Sequence, residues 1–404
     1  MEEYRTYRLG EIAECTLGKM LDQKKNKGKP QVYLGNVAVR WGAFNIDYSQ
    51  TMLFEDKELE RYQAIKGDIV LCEGGEPGRC AIWEEERPIC LQKALHRIRV
   101  NQRIADPYYV YYYLTSFVKS GNAEPYFTGS TIKHLPRERL VSLEMALPSL
   151  DVQKRRARII QAIDDKITLN TRINHNLEEQ AQALYKSWFV DFEPFKDGKF
   201  VDSHLGMIPE KWLIRRADDI CPINIGKTPP RKETKWFTSE MTDPIWVSIS
   251  DMSDCGVFID NSTEKLTTEA IKKFNVIIVP EDSVLLSFKL TIGRVAIANR
   301  ALTTNEAIAR FVTNDRPLSL YLYLTLQNYD YSKLGSTSSI ATAVNSKIVK
   351  AMPVLWPGKD VVEQFAVTIL PLFNEIRKRQ TENRCLTAIR DALLPKLMCG
   401  QLTC

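Results

Sequence analysis

The chain contains two copies of one pattern, and this internal repeat constrains its fold more than any other feature of the sequence. Residues 145–190 and 354–399 align without a gap, and corresponding residues such as Pro148 and Pro357 lie 209 positions apart. Apolar residues in each copy recur at alternating steps of three and four, which is the spacing of a coiled-coil seam. The predicted seam contains Ile160, Ile163, Ile167, Asn174, Leu177, Leu184, Ile369, Leu372, Ile376, Asn383, Leu386 and Leu393.

Shorter matches occur in front of each copy, in the same order in both halves of the chain. The matched pairs are Lys66–Leu71 with Pro280–Leu285, Gly78–Ile82 with Gly293–Ile297, Gln92–Arg97 with Asn305–Arg310, and Gly129–Thr131 with Gly335–Thr337. Strand-like runs such as Val276–Pro280 and Ser283–Ser287 alternate with helical stretches such as Tyr108–Val118, a mixture typical of an α+β fold. We therefore predict two similar globular α+β domains, each followed by a long helix.

Helix signals set the domain boundaries. The first long helix is predicted to begin after Pro148, a residue favoured near helix starts, and to end before the breakers of Phe192–Gly198. Its repeat copy contains Pro371, where we expect a kink. The predicted segments are 1–147 for the first globular domain, 148–195 for the central helix, 196–356 for the second domain and 357–404 for the C-terminal helix.

The two predicted helices have equal length in one chain and a globular domain between them, so the simplest closure pairs them antiparallel. Asn174 and Asn383 lie in the middle of the seam, and a polar pair there fixes the register of a coiled coil at some cost in stability. Antiparallel pairing of a repeat gives pseudo-two-fold symmetry and offers equivalent faces to two copies of one partner. A helix of about 40 residues is roughly 60 Å long, enough to hold two domains at separate sites on one DNA duplex.

Composition and motifs narrow the function. No apolar run approaches the roughly 18–20 residues of a membrane span, the amino terminus lacks a signal peptide, and the nine cysteines include no Cys-x-x-Cys pair, so we predict a cytoplasmic protein. The four histidines are scattered and form no metal-ligand cluster. No phosphate-binding loop, Gly-x-Gly-x-x-Gly turn, Asn-Pro-Pro-aromatic run or Gly-x-Ser-x-Gly elbow occurs, which predicts a chain without catalytic activity, metal or cofactor. The net charge of +5 permits an anionic partner without requiring one.

Both predicted domains carry a basic loop at the same position, after Gly18-Lys19 and after Gly226-Lys227. Lysine and arginine neutralise DNA phosphates and read base edges, so these loops are candidates for DNA contact, and a solvated lysine loop is the alternative. The matched Arg79 and Arg294 are either structural ion-pair partners or phosphate contacts. The candidate DNA-binding residues are Lys19, Lys24, Lys25, Lys27, Lys29, Arg79, Lys133, Lys227, Arg231, Lys232, Lys235 and Arg294.

Together these elements resemble the specificity subunits of type I restriction-modification systems. The resemblance covers the whole chain and is carried by the strand Gly67–Leu71, the turn-strand elements Gly78–Ile82 and Gly293–Ile297, and the proline before each long helix. It implies a non-catalytic, sequence-specific DNA-binding subunit whose two target-recognition domains each read one half of a bipartite target. It also implies that the helices dock two methyltransferase subunits, which associate with two restriction and translocation subunits. S-adenosylmethionine, ATP and magnesium would bind only in those partners. Pro371 has no counterpart at Ala162, which departs from strict equivalence of the two docking faces.

Two other functions stay open at this point. A scaffold that holds two protein partners on a coiled-coil rod, and never touches nucleic acid, has the same repeated architecture. An enzyme in its own right, such as a nuclease or a methyltransferase, is disfavoured by the missing motifs. Binding of a DNA duplex by the assembled complex distinguishes the first two.

Overall fold

The computed structural model describes residues 3–22, 26–240, 243–253, 255–334 and 344–402. The chain divides into two compact units, of which unit 1 is Met1–Ile167 with Cys385–Cys404 and unit 2 is Thr168–Arg384. Each unit therefore combines a globular domain with parts of both long helices. None of the helices formed by the described residues is long and apolar enough to cross a membrane.

The globular domain of unit 1 is a mixture of short strands and helices. Its strands are β1 (Arg5–Arg8), β2 (Ala13–Leu17), β3 (Lys29–Leu34), β4 (Val39–Arg40), β5 (Ala43–Phe44), β6 (Thr51–Phe54), β7 (Gln63–Ala64), β8 (Ile69–Cys72), β9 (Cys80–Ile82), β10 (Ile89–Leu91), β11 (Leu95–Val100) and β12 (Glu144–Leu147). Its helices are α1 (Leu9–Ile12), α2 (Asp56–Tyr62), α3 (Pro107–Lys119) and α4 (Arg137–Val141), and the long helix α5 (Leu150–Phe189) follows. Two four-stranded sheets have the orders β2-β11-β8-β9 and β6-β3-β10-β7. Among these neighbours only β3 and β10 run parallel.

The globular domain of unit 2 has the same kind of composition. Its strands are β13 (Phe200–Val201), β14 (Ile208–Pro209), β15 (Leu213–Arg216), β16 (Ile223–Ile225), β17 (Phe237–Thr238), β18 (Ile245–Val247), β19 (Phe258–Ile259), β20 (Glu264–Leu266), β21 (Val284–Ser287), β22 (Val295–Ala298), β23 (Thr303–Thr304), β24 (Ile308–Phe311) and β25 (Pro353–Trp356). Its helices are α6 (Ala217–Ile220), α7 (Thr268–Lys273), α8 (Arg316–Gln327) and α9 (Ser346–Lys350), and the long helix α10 (Lys359–Met398) follows. Two larger sheets have the orders β16-β24-β21-β22-β19 and β17-β20-β18-β23.

The two globular domains share one topology. The order β16-β24-β21-β22 repeats β2-β11-β8-β9, and the parallel pair β18 and β23 repeats the parallel pair β3 and β10. In each domain the last strand pairs antiparallel with a strand near the start of the domain: β1 pairs with β12, with Arg5 opposite Leu147, and β15 pairs with β25, with Leu213 opposite Trp356. The predicted α+β class and the predicted duplication are confirmed.

Helices α3 and α8 show how sequence fixes the repeated elements. Asp106 accepts a hydrogen bond from Tyr109 N in front of α3, and Asp315 accepts one from Leu318 N in front of α8. A carboxylate N-cap followed by proline in the first turn favours helix initiation at the same place in both domains. Both helices bury aromatic and aliphatic side chains against the sheets, so the tyrosine-rich stretch of α3 belongs to the core.

The long helices pair antiparallel inside each unit. In unit 2 the Asn170 amide donates to Asn383 Oδ1 at 2.9 Å, and the rings of Phe189 and Phe365 lie 4.8 Å apart, so residue numbers rise along α5 as they fall along α10. In unit 1 Arg390 donates to Asp164 at 2.9 Å with the same sense. The predicted antiparallel pairing is confirmed. Helix α10 is assigned without interruption through Pro371, and the kink expected there stays a prediction.

Every residue of the predicted seam is buried or half-buried. The hydrogen-bonded asparagine pair differs from our prediction, because Asn383 accepts from Asn170 and not from Asn174, one turn further along α5. Asn170 also accepts from Arg379, the residue 209 positions away that corresponds to it in the repeat.

The end of the chain completes the core of unit 1. Leu394, Leu397 and Met398 are buried in the cluster that contains Tyr109 and Ile160. Beyond this apolar contact, the Arg156 guanidinium donates to the hydroxyl of Tyr4 and to the carbonyl of Leu402. The first globular domain thus depends on residues that lie at both ends of the sequence.

Candidate nucleic-acid interface

One edge of the main sheet of unit 2 gathers three connecting loops. Strands β16 and β21 end at this edge, while β22 and β24 begin there, as the register pairs Ser287 with Ile308 and Leu286 with Val295. The segments that meet here are 226–236, 288–294 and 305–307, and we call them the loop edge of unit 2.

Unit 1 has the same edge, formed by the segments 18–22, 73–79 and 92–94. The two edges share matched backbone hydrogen bonds: Glu73 N donates to Ala94 O at 2.8 Å, and Phe288 N donates to Ala307 O at 3.0 Å. Residue His134 joins this edge through a bridge to Gly74, which places the neighbouring Lys133 beside it. The equivalent Gly335–Thr337 segment of unit 2 lies outside the described residues.

A glycine-lysine pair starts the first loop of each edge, and the packing requires the glycine. A Cβ atom added to Gly226 would lie 1.9 Å from Asn305 O, and one added to Gly18 would lie 2.4 Å from Gln92 O. Both positions are far inside van der Waals contact with backbone atoms. The matched glycines thus allow the first and third segments of each edge to touch.

The matched arginines hydrogen-bond to backbone carbonyls next to the two loop edges. Arg79 donates to Asn36 O at 3.1 Å, and Arg294 donates to Ile249 O at 2.7 Å. Asn36 and Ile249 each lie two residues beyond the equivalent strands β3 and β18. Because both guanidiniums hold the same connection, the structure favours the first of the two alternatives, a structural role, for Arg79 and Arg294.

The predicted basic residues of unit 1 are mostly paired. Lys19 is 4% exposed, and its ammonium donates to Glu58 at 2.6 Å and to Leu53 O at 2.9 Å, so it is not available to a phosphate in this conformation. Lys29 pairs with Asp56, and Lys133 pairs with Glu124, both at the surface, where such pairs exchange readily with solvent or ligand. Lys27 is exposed, and Lys24 and Lys25 lie outside the described residues.

In unit 2 the predicted basic residues are exposed, and two of them, Arg231 and Lys235, lie on aromatic rings. The basic cluster consists of Lys227, Arg231, Lys232, Lys235 and Lys273, whose side chains lie in exposed residues around two buried tryptophans. Four of these residues were predicted from the sequence. Lys273 was missed because it ends the short helix α7, where no repeat match drew attention to it.

Three of the cluster's cations are positioned by the tryptophans. The Arg231 guanidinium lies 4.5 Å from the ring of Trp246 and makes two hydrogen bonds to Glu264, at 2.7 and 2.9 Å. The ammonium groups of Lys235 and Lys273 each lie 4.5 Å from the ring of Trp236. Stacking of this kind orients a cation while leaving its outer face open to an anion.

Helices α2 and α7 occupy equivalent places but carry opposite charge. Helix α2 contains three acidic and two basic residues, whereas α7 contains one acidic and two basic residues. Glu58 neutralises Lys19 in unit 1, while the equivalent Lys227 of unit 2 donates to the backbone carbonyl of Phe274. The two repeats thus share the backbone structure of the loop edge and differ in the charge of its surface.

The titratable groups near the edges are structural. His96 of β11 is buried, donates Nε2–H to Leu135 O, and has a pKa below its usual value because burial disfavours the charged ring. Burial also raises the pKa of the Cys80 thiol to about 12, which keeps it protonated. Among the described residues, no group of three or more His, Cys, Asp or Glu side chains is placed to hold a metal ion.

Comparison with known protein families also finds the repeat of the chain. The family model described as the type I restriction modification DNA specificity domain matches the chain twice, over residues 1–179 and 209–383. The chain belongs to the type I restriction-modification specificity subunit family.

Relatives of the family cover most of the chain. The HindI specificity subunit of Haemophilus influenzae is 25% identical over 333 residues, which is 67% of this chain and 72% of that protein. The MjaIX specificity subunit of Methanocaldococcus jannaschii is 27% identical over 347 residues, or 83% of this chain and 78% of that protein. A crystal structure of a type I S subunit from M. genitalium has the same fold, with a TM-score of 0.56 and 15% identity over 98% of this chain and 96% of that one.

Each match to the family model ends inside a long helix. The first match extends to residue 179 of α5, and the second extends to residue 383 of α10. The specificity-subunit family is therefore defined here by the globular domain together with the helix that follows it, which is the unit that the sequence repeats.

Proposed function

We propose that this chain is the DNA-reading, non-catalytic subunit of a type I restriction-modification complex, and that each globular domain reads one half of a bipartite target. One observation carries the proposal: both domains present the same loop edge, with matched backbone hydrogen bonds and different side chains. A shared frame positions two readers in the same way, and divergent side chains let them recognise different bases.

The basic cluster of unit 2 supports contact with the DNA backbone. Arg231, Lys235 and Lys273 lie on tryptophan rings beside the loop edge, where binding of a phosphate would release counterions. In unit 1 the exposed Lys27, Lys29 and Lys133 take the same role, and Lys24 and Lys25 stay predicted contacts. We no longer assign DNA contact to Lys19, Arg79 and Arg294, since their polar groups are engaged within the protein.

The long helices are proposed to dock two methyltransferase subunits, through which two restriction and translocation subunits join. Exposed apolar side chains on these helices, Leu169 on α5 and Val367 and Ile389 on α10, support a protein partner there. S-adenosylmethionine, ATP and magnesium are assigned to the partners, and the complex to the cytoplasm. DNA methylation is then the work of the assembled complex.

A domain exchange tests the proposal. Replacing 213–356 by the equivalent segment of another family member should change one half of the methylated sequence, since β15 and β25 close that domain at adjacent ends. Replacing 5–147, closed by β1 and β12, should change only the other half. Methylation mapping in cells that express the exchanged chains with their partners gives the readout. Changes in both halves or in neither would contradict two independent readers, and a complex that assembles but methylates and binds no sequence would favour the scaffold.

Charge removal tests the basic cluster separately. Changing Lys232, Lys235 and Lys273 to alanine should lower the slope of log affinity against log salt by roughly 0.9 for each phosphate that is no longer neutralised. Binding of the target duplex by the assembled complex is measured from low to moderate salt. Lys378→Ala, an exposed lysine of α10, removes one positive charge away from the loop edge and should leave the slope unchanged. An unchanged slope in the triple variant would remove the cluster from the interface.

A further inference from the structure

One apolar side chain stands fully in solvent at the loop edge of unit 2. Leu290, in the segment 288–294, is 99% exposed. Its backbone φ of +62° lies in the left-handed region, which costs free energy for a residue with a Cβ atom. A glycine would adopt this conformation without strain. The chain therefore holds a leucine where neither burial nor backbone preference explains it, and such strain clusters at functional positions.

The loop around Leu290 is braced from its base. Ser287 is buried, and its hydroxyl donates to Thr291 O at 2.6 Å and accepts from Arg294 N at 3.0 Å. Across the tip, Thr291 N donates to Lys289 O at 2.7 Å, which closes a three-residue turn centred on Leu290. These bonds fix the direction in which the leucine projects.

The segments of the loop edge around the tip carry the basic Lys289 and Lys227 and the acidic Glu306. Lys289 is the preceding residue, and the loop is joined to the rest of the edge by the hydrogen bond from Phe288 N to Ala307 O. Next to Ala307, Gly226 N donates to Ile308 O, which ties in the segment that carries Lys227. In unit 1 the equivalent segment carries Glu73, Glu76 and Pro77 and offers no apolar tip. The lysine that adjoins Leu290 in the turn favours DNA over an apolar protein surface as the partner of Leu290.

We propose that Leu290 is a wedge that inserts at a base step of the half-site contacted by unit 2 and partly unstacks it. Apolar side chains inserted in this way open and bend a duplex, and flanking cations hold the phosphates on either side. The proposal rests on the proposed DNA-reading function. It adds a shape-dependent contribution to recognition by unit 2, one that unit 1 lacks.

The test compares two substitutions of Leu290 in the assembled complex. Leu290→Gly removes the wedge and relieves the backbone strain, so thermal stability should stay the same or rise. Leu290→Met keeps a long apolar side chain and should retain function. The probe is a duplex of the methylated sequence found by mapping, with 2-aminopurine substituted in turn for each adenine, on either strand, of the half-site assigned to unit 2 by domain exchange. Wild type and Leu290→Met should raise the fluorescence at one step, whereas Leu290→Gly should abolish the rise and weaken binding about tenfold.

Each result has one meaning. Sequence-specific binding by wild type without a fluorescence rise at any position, or with equal affinity for Leu290→Gly, would overturn the wedge while leaving the DNA-reading function intact. Loss of methyltransferase association in Leu290→Gly, with DNA binding retained, would reassign the leucine to a protein contact and also overturn the wedge. Absence of any sequence-specific binding by wild type would instead overturn the proposed function itself.

Discussion

Removal of residues 385–404 is expected to unfold the globular domain of unit 1 and to leave that of unit 2 folded. The deleted segment supplies Leu394, Leu397 and Met398 to the core of unit 1, although it lies more than two hundred residues from that domain in sequence. Truncating one buried side chain of this size costs about 2–5 kcal/mol, and a domain is stable by about 5–15 kcal/mol in total. Loss of all three, about 6–15 kcal/mol, is as large as the whole stability of such a domain. Amide hydrogen exchange measures the outcome, since protection should vanish from β2, β8 and β11 and persist in β16, β21 and β24.

Single substitutions test the contribution of the C-terminal segment to the core of unit 1 without a truncation. Leu397→Ala removes a side chain that is 2% exposed and should lower the free energy of unfolding of unit 1 by about 2–5 kcal/mol. Ile389→Ala on the same helix removes a side chain that is 49% exposed and should change it by less than about 0.5 kcal/mol. Equal effects of the two substitutions would contradict a core completed by the end of the chain.

The repeat explains why so much of the fold followed from the sequence. Matched sequence elements fold alike, so β8, which ends at Cys72, and β21, which ends at Ser287, occupy equivalent places in the two main sheets. The seam followed from the three-four spacing, because only one face of each long helix is apolar. Register was harder to obtain: the spacing placed Asn174 and Asn383 together in the predicted seam, and only packing selects Asn170, one turn earlier, as the partner of Asn383.

One strand prediction was wrong, because a side chain and not a neighbouring strand bonds to the backbone of the segment. The run Val276–Pro280 was predicted as a strand, but in the structure only Val279 forms an isolated bridge, with Leu302. The backbone carbonyl of Ile277 accepts instead from the buried guanidinium of Arg310, at 2.8 Å. An apolar run shows β-propensity but not which group will satisfy its backbone, and that partner comes from a distant strand.

The candidate interface was predicted only in outline for a related reason. Matched positions identified both loops, yet matching alone does not separate a cation that braces the fold from one that faces a ligand. Arg79 and Arg294 are matched because both hold the same connection, whereas the exposed cations differ between the repeats. A repeat preserves what the fold requires. The residues that distinguish two targets are therefore those at which the two copies diverge.

Gly226→Ala should abolish reading of one half-site, because the added Cβ would lie 1.9 Å from Asn305 O and 2.4 Å from Thr304 O. Neither carbonyl can rotate away, so the segments 226–236 and 305–307 must separate. Overpacking of this kind costs about 1–3 kcal/mol of stability. Separation of the segments also displaces the basic cluster from the loop edge. Affinity for the target duplex should fall on the order of a hundredfold, as expected when several interactions with bases and phosphates are removed together.

Two glycines of unit 1 supply comparison variants for Gly226→Ala. Gly18→Ala places a Cβ 2.4 Å from Gln92 O in unit 1 and should abolish reading of the other half-site. Gly35→Ala meets only the movable end of the Gln92 side chain, at 3.3 Å, and should leave both half-sites intact. Methylation of targets altered in one half at a time gives the readout. If Gly226→Ala and Gly18→Ala relaxed the same half of the target, or if Gly35→Ala matched either in severity, the equivalence of the two loop edges would fail as an account of how one chain reads two sequences.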